Sequence, residues 1–227
     1  MIEPPLLAPA LTDAATPAPN APPLGWAKQE HLFHEGDPAA ALFIIESGAV
    51  VIYRTARDGC RLIHGIRFKG EYVGLGYGET YGVSAVAVRP TTARSISRAA
   101  LNRLIETDST VARQMMLSLS AELMRTSDHL MVIGSRTAIG RVAACLLDLS
   151  ERAAGGEGTF ILPVSRSEMG DLLGLTIETV SRAMTRLKTL GIIALPRSDT
   201  VVIRSRSALL ALAHDDGDGA ARGRLAA

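Results

Sequence analysis

Residues 164–188, VSRSEMGDLLGLTIETVSRAMTRLK, limit what this chain can fold into more than any other stretch. Ser165 followed three residues later by Glu168 is a capping box, which predicts a helix start. Gly174 marks the end of that helix, at a position that favours the left-handed conformation. Thr176 then caps a second helix, along which Ile177, Val180, Met184 and Leu187 recur at spacings of three and four as an apolar stripe. Glu178, Ser181, Arg182 and Thr185 fall on the opposite face. A short helix, a glycine turn and a second helix with a polar outer face make the helix-turn-helix pattern, whose second helix enters a DNA major groove.

The outer face has the chemistry for base reading. Arg182 can offer two parallel donors to guanine O6 and N7, Glu178 can accept from an exocyclic amino group, and Ser181 can reach either kind of partner. Glu178 and Arg182, four apart, can also orient each other. A solvated face carrying one ion pair would show the same pair alone. The cap, the turn glycine and the inner stripe shift the reading to DNA. Charge agrees once it is located: between Val164 and Arg206 there are seven basic and four acidic residues, so this segment carries +3 and the rest −2 of a net +1. Attraction to phosphate would be salt-sensitive and would act on any sequence.

The rest of the chain predicts an α+β protein. Residues 1–25 hold seven of eleven prolines and read as a disordered Pro/Ala-rich tail. Strands are expected at 31–33, 41–46, 49–54, 61–68, 83–88 and 92–96, separated by glycine turns, so residues 26–106 should form an antiparallel jelly roll. Ser97 should cap a short helix. Asp108 and Ser109 open a long one, and 107–134 is its expected extent. Along it Ala112, Met116, Leu119, Leu123, Thr126, Leu130 and Ile133 follow a heptad, with Leu117, Ala121, Met124 and Met131 beside them. One stripe would cover the helix's own β domain; two imply a partner, and a homodimer through Met116, Leu119, Leu123, Leu130 and Ile133 is expected. Gly134 interrupts this pattern as a hinge. Residues 135–212 should form a winged helix-turn-helix domain, with Ile139, Val142, Leu146 and Leu149 on the inner face of its first helix. A strand at 160–163 leads into the helix-turn-helix, and a hairpin wing at 191–204 carries Arg197 at its tip, near phosphate. Residues 213–227 read as a second disordered tail.

Other classes lack support. No run of about 18 apolar residues suggests a membrane span, and the N-terminus lacks the basic start and continuous apolar core of a signal peptide. Cys60 and Cys145, the two cysteines, make no disulfide framework, so a reducing cytoplasm is the expected location. No nucleophile elbow, P-loop, zincin motif or dinucleotide fingerprint appears, so no catalysis is expected. His31 and His34 share the spacing of a metal pair and nothing more, so no metal site is assigned.

LGLTIETVSRAMTRLKTLGII resembles the recognition region of the Crp/Fnr superfamily, and the E-x-x-S-R arrangement of Glu178, Ser181 and Arg182 is similar to its Fnr and FixK branches. EGDPAAALFIIESGAVVIYRTARDGCRLI resembles the superfamily's β-roll sensor domain, and RVAACLLDLSER the first helix of its DNA-binding domain. The resemblance implies a homodimer on an inverted repeat of TTGA half-sites, with Ser165, Arg166, Ser167 and Thr179 on phosphates. It also implies contact with RNA polymerase and control of genes for low-oxygen respiration, denitrification or nitrogen fixation. Relatives hold cyclic nucleotides with a Gly-Glu and an arginine. Gly70-Glu71 is present, but Val83 stands roughly where the arginine would fall, which disfavours cyclic AMP; Arg89 and Arg94 lie nearby. Two cysteines cannot supply the four thiolates of an Fnr-type iron–sulfur cluster. Haem on a single histidine stays open. The alternative is therefore a ligand-sensing regulator of the same fold, using haem, a redox thiol or a nucleotide. A third reading is an enzyme or metabolite binder that merely contains a β-roll.

Overall fold

The structure, a computed structural model, describes residues 23–76, 78–135, 137–154 and 158–214. The chain divides into two compact units between Thr126 and Ser127.

In the first unit two four-stranded antiparallel sheets form the roll. One runs β1 (Leu24–Trp26), β8 (Thr91–Ser97), β3 (Ala41–Ser47), β6 (Tyr72–Val73); the other runs β2 (His31–Phe33), β7 (Ser84–Ala87), β4 (Val50–Thr55), β5 (Arg61–Arg67). Strand periodicity divides the apolar residues of β3 between two cores. Phe43 and Ile45 point into the roll with Phe33, Val50, Ile52, Val73 and Tyr81. Leu42 and Ile44 point the other way, toward Tyr72, Ile96, Leu101, Val111 and Met115. Aromatic rings fill much of the interior: Phe33 stacks on Tyr81 at 3.6 Å, and Trp26 meets Phe43 edge-on at 5.6 Å. The Tyr81 hydroxyl donates to Ala41 O at 2.7 Å, so its one polar atom is satisfied.

Helix α1 (Arg98–Thr107) is capped by Ser97 as expected, and α2 (Ser109–Ser135) follows. The apolar residues α2 seats on the roll are Val111 and Met115, both buried, and Ser118 one turn on is buried as well. This corrects the sequence reading, in which one of the two apolar stripes would cover the β domain. Met116, Leu117, Leu119, Leu123, Met124, Leu130 and Met131 are instead all exposed, Leu123 by 67%. Ile133 is half-buried. Helical spacing puts the seated residues and this apolar arc on opposite sides. Gly134 does not interrupt the helix, which continues through it to Ser135.

The second unit holds α3 (Ala138–Ala154), α4 (Arg166–Leu173), α5 (Ile177–Thr189) and α6 (Arg206–Ala213), with a three-stranded sheet in the order β10 (Ile193–Ala194), β11 (Thr200–Ile203), β9 (Thr159–Ile161). Helix α3 packs on α5 and α6, and Val142, Leu146 and Leu149 are fully buried while Ile139 is half-buried. Each fully buried leucine contributes about 1.5–3 kcal/mol from its transfer out of water. Cys145 is buried here, and that burial pushes its thiol up to about 12.

Three further differences have identifiable causes. Strand β1 begins at Leu24, inside the segment read as tail, because its backbone pairs with Thr91, Thr92 and Ala93. The two-residue β6 is too short to show a period. Helix α6 has an almost wholly apolar sequence without visible periodicity; the Ser205 hydroxyl caps it and Arg206 pairs with Glu151. Residues 1–22 and 215–227, the core of each expected tail, lie outside the described residues, as do 155–157 of the expected loop.

Candidate nucleic-acid interface

The helix-turn-helix is built by short-range chemistry. Ser165 Oγ accepts from Glu168 N at 3.2 Å while Glu168 Oε2 accepts from Ser165 N at 2.8 Å, so both halves of the capping box form. Gly174 takes the left-handed conformation, with φ 61°. The sequence reading missed Gly170. A Cβ there would stand 2.6 Å from Leu175 O, so only glycine lets the turn fold back onto α4. Its signal is confined to a glycine in a helix interior, at some cost to that helix. Thr176 Oγ1 then accepts from Thr179 N at 3.3 Å and starts α5.

Helix α5 buries Val180, Ala183, Met184 and Leu187. Ile177, placed on that stripe from the sequence, is instead 46% exposed, although Val180 in the same turn is fully buried. Glu178, Ser181, Arg182 and Thr185 are exposed together, as expected. An open depression lined by Ser181, Arg182, Thr185, Arg186 and Thr189 runs along this face. Arg186 and Thr189 extend it beyond the residues singled out from the sequence. The Glu178 carboxyl is held below its usual range by its own backbone N–H, then by Thr176, with a smaller contribution from the Arg182 charge. As a carboxylate it can only accept hydrogen bonds.

The phosphate candidates surround this helix without sharing one environment. Ser167 is exposed; Thr179 is half-buried, its hydroxyl 3.1 Å from that of Thr176. Ser165 already accepts the capping bond. Arg166 is half-buried, and its Nη2 donates to Ser198 O in the wing turn at 3.4 Å. Burial lowers its pKa. Arg197 is 79% exposed at the wing tip, 3.7 Å from Asp199. The wing is the antiparallel pair β10–β11, with Ile193 opposite Ile203.

His31 and His34 stack at 4.2 Å, and His31 Nε2 is 2.9 Å from Tyr53 Oη. No group of three or more His, Cys, Asp or Glu is arranged to share a metal among the described residues. Val83 packs against the roll core, Arg94 pairs with Glu46, and Ser84 Oγ accepts from Glu35 N at 2.9 Å. Cys60 is exposed at the β4–β5 hairpin. Within the described residues no helix is long and apolar enough to cross a membrane.

Comparison with known proteins converges on one group. Residues 140–212 match the Crp-like helix-turn-helix domain, and residues 24–108 match the cyclic nucleotide-binding domain. The chain is 35% identical over 208 residues to the nitrogen fixation regulation protein FixK of Azorhizobium caulinodans, covering 88% of this chain and 84% of that one. It is 35% identical over 183 residues to the transcriptional activator protein anr of Pseudomonas aeruginosa, covering 78% and 75%. The structure of FixK2 from Bradyrhizobium japonicum superposes with a TM-score of 0.80 at 35% identity, over 85% of this chain and 96% of that chain.

Proposed function

Since the chain belongs to the Crp/Fnr family of DNA-binding transcription regulators, on its FixK-like side, we propose that it acts as a homodimer on an inverted repeat of TTGA half-sites. The carrying observation is the exposed row Glu178, Ser181 and Arg182 on α5. Arg182 reads the guanine, Glu178 an amino group nearby and Ser181 a thymine edge. Ser165, Arg166, Ser167, Thr179 and Arg197 hold the phosphates and set register. The apolar arc of α2 supports the dimer, because so many large side chains facing water call for a partner. A palindromic site needs two recognition helices about 34 Å apart, which one two-fold axis supplies.

Relatives named as a nitrogen fixation regulation protein and a transcriptional activator protein support a role in activating transcription, at genes such as those of nitrogen fixation. Contact with RNA polymerase and control of low-oxygen respiration or denitrification genes are what we infer from the family resemblance. The cytoplasm is the matching location. We propose further that the β-roll works without a cyclic nucleotide and, with two cysteines in the chain, without a four-cysteine iron–sulfur cluster, haem being the alternative that a spectrum decides. Val83 turns inward at the phosphate position, and Glu71 is engaged by Phe68 N at 2.9 Å and by Arg125. Arg94, a nearby cation, is taken by Glu46.

DNA selection on the purified protein, with and without reductant, tests the reading. Enrichment of a TTGA palindrome is the expected result; a random pool after several rounds would sink it. Cyclic AMP should give no binding heat, and the visible spectrum should show no Soret band.

A further inference from the structure

A polar network lies where α2 makes its last contacts within the first unit. Arg67 on β5 is 6% exposed, and its Nη2 is paired with Glu122 Oε1 on α2. Glu122 Oε2 takes a second cation, Arg125 Nη2, at 2.9 Å. Arg125 reaches on to Glu71 at 3.9 Å, and Glu71 accepts from Phe68 N at 2.9 Å, back on the turn after β5. The path therefore leaves the roll at Arg67, crosses one helical turn and returns at Glu71. Gly65 makes room for it: a Cβ there would stand 2.7 Å from Arg67 Nη1.

We propose that Arg67, Glu122, Arg125 and Glu71 form a built-in clamp that fixes the rotation of α2 on its own roll, so that the helix is seated with no small molecule bound. Val111 and Met115 already bury apolar surface against the roll, but apolar contact is non-directional and tolerates rotation of the helix. Paired guanidinium and carboxylate groups do not, because planar partners accept a narrow range of geometry. Glu122 is the pivot, since it is shared by both arginines. The clamp lies one residue before the boundary between the two units, and it grips the side of α2 away from Met116, Leu119 and Leu123. Arg125 and Glu122 are thus positioning residues. The apolar arc is presented in one orientation because they hold the opposite side.

Amide hydrogen exchange across residues 111–126 of the full-length protein tests this, with DNA binding and sedimentation measured in parallel. Arg125→Ala, which removes two ion pairs, should speed exchange in this half of α2 by roughly tenfold, and Glu71→Gln, which removes one, by about threefold, while strand protection in the roll stays at the wild-type level. Arg125→Lys should retain part of the protection. The double variant should be little worse than Arg125→Ala alone, because that change already breaks the link to Glu71. Protection of α2 unchanged in both single variants would overturn the clamp and leave seating to Val111 and Met115. Exchange lost throughout the roll would overturn it too, by making these residues general supports of the fold. Failure of the wild type to select palindromic DNA would defeat the proposed function and leave the exchange result standing.

Discussion

Arg182 and Ser165 belong to one motif yet would fail differently when changed. Arg182 is exposed and holds up no part of the fold, so Arg182→Ala should leave thermal unfolding unaltered and cost roughly 1–3 kcal/mol of binding to the guanine-containing half-site. The ratio of palindromic to scrambled affinity, measured by competition at fixed salt, should fall with it. Ser165→Ala should instead cost about 1 kcal/mol of stability through the lost cap. Two histidines make stability depend on pH. His31 is held below its ordinary value of 6.5 by burial, then by His34 and Arg61. His64 is held down by burial, then by Arg54 and Arg67, against smaller opposing effects of Glu35 and Glu122. The unfolded chain takes up these protons first, so the stability they contribute is complete above about pH 6.5 and drains away as pH falls through that value. Urea midpoints at pH 7.5 and 5.5 should differ in that direction, and a His31→Gln, His64→Gln variant should narrow the gap.

Elements were legible in the sequence where a local rule sets them. The capping box at Ser165, the left-handed Gly174 and the cap at Thr176 each depend on atoms within a few residues, and α4 begins and ends, and α5 begins, where those residues say. The strands of the roll were readable from glycine punctuation. What escaped was decided at longer range: β1 exists because it pairs with β8, and Gly170 matters because Leu175 O folds over it. The roles of the α2 stripes escaped for the same reason. A heptad identifies apolar positions but does not say which of them the roll will cover, and Val111 and Met115 fit neither stripe. Leu123→Glu, on the exposed arc, should convert a sedimenting dimer to monomer without unfolding the chain. Gly170→Ala should lower stability by roughly 1–3 kcal/mol, seen as an earlier melting transition, because the backbone of the turn must move.

As a whole, the molecule consists of two units, each with a buried core of its own. Residues 137–214 should therefore unfold cooperatively when produced alone, as circular dichroism on heating would show. Such a fragment should keep its preference for a half-site but bind far more weakly than the full chain, since linked sites gain through effective concentration. Its affinity should also fall steeply with salt, as expected for a segment carrying the chain's positive excess. The two sulfurs lie in opposite surroundings, Cys60 on an exposed hairpin and Cys145 sealed in α3 with its thiol raised to about 12. A maleimide dye should therefore mark one native position per subunit without any engineering, and energy transfer between donor- and acceptor-labelled molecules could follow their pairing at nanomolar dilution.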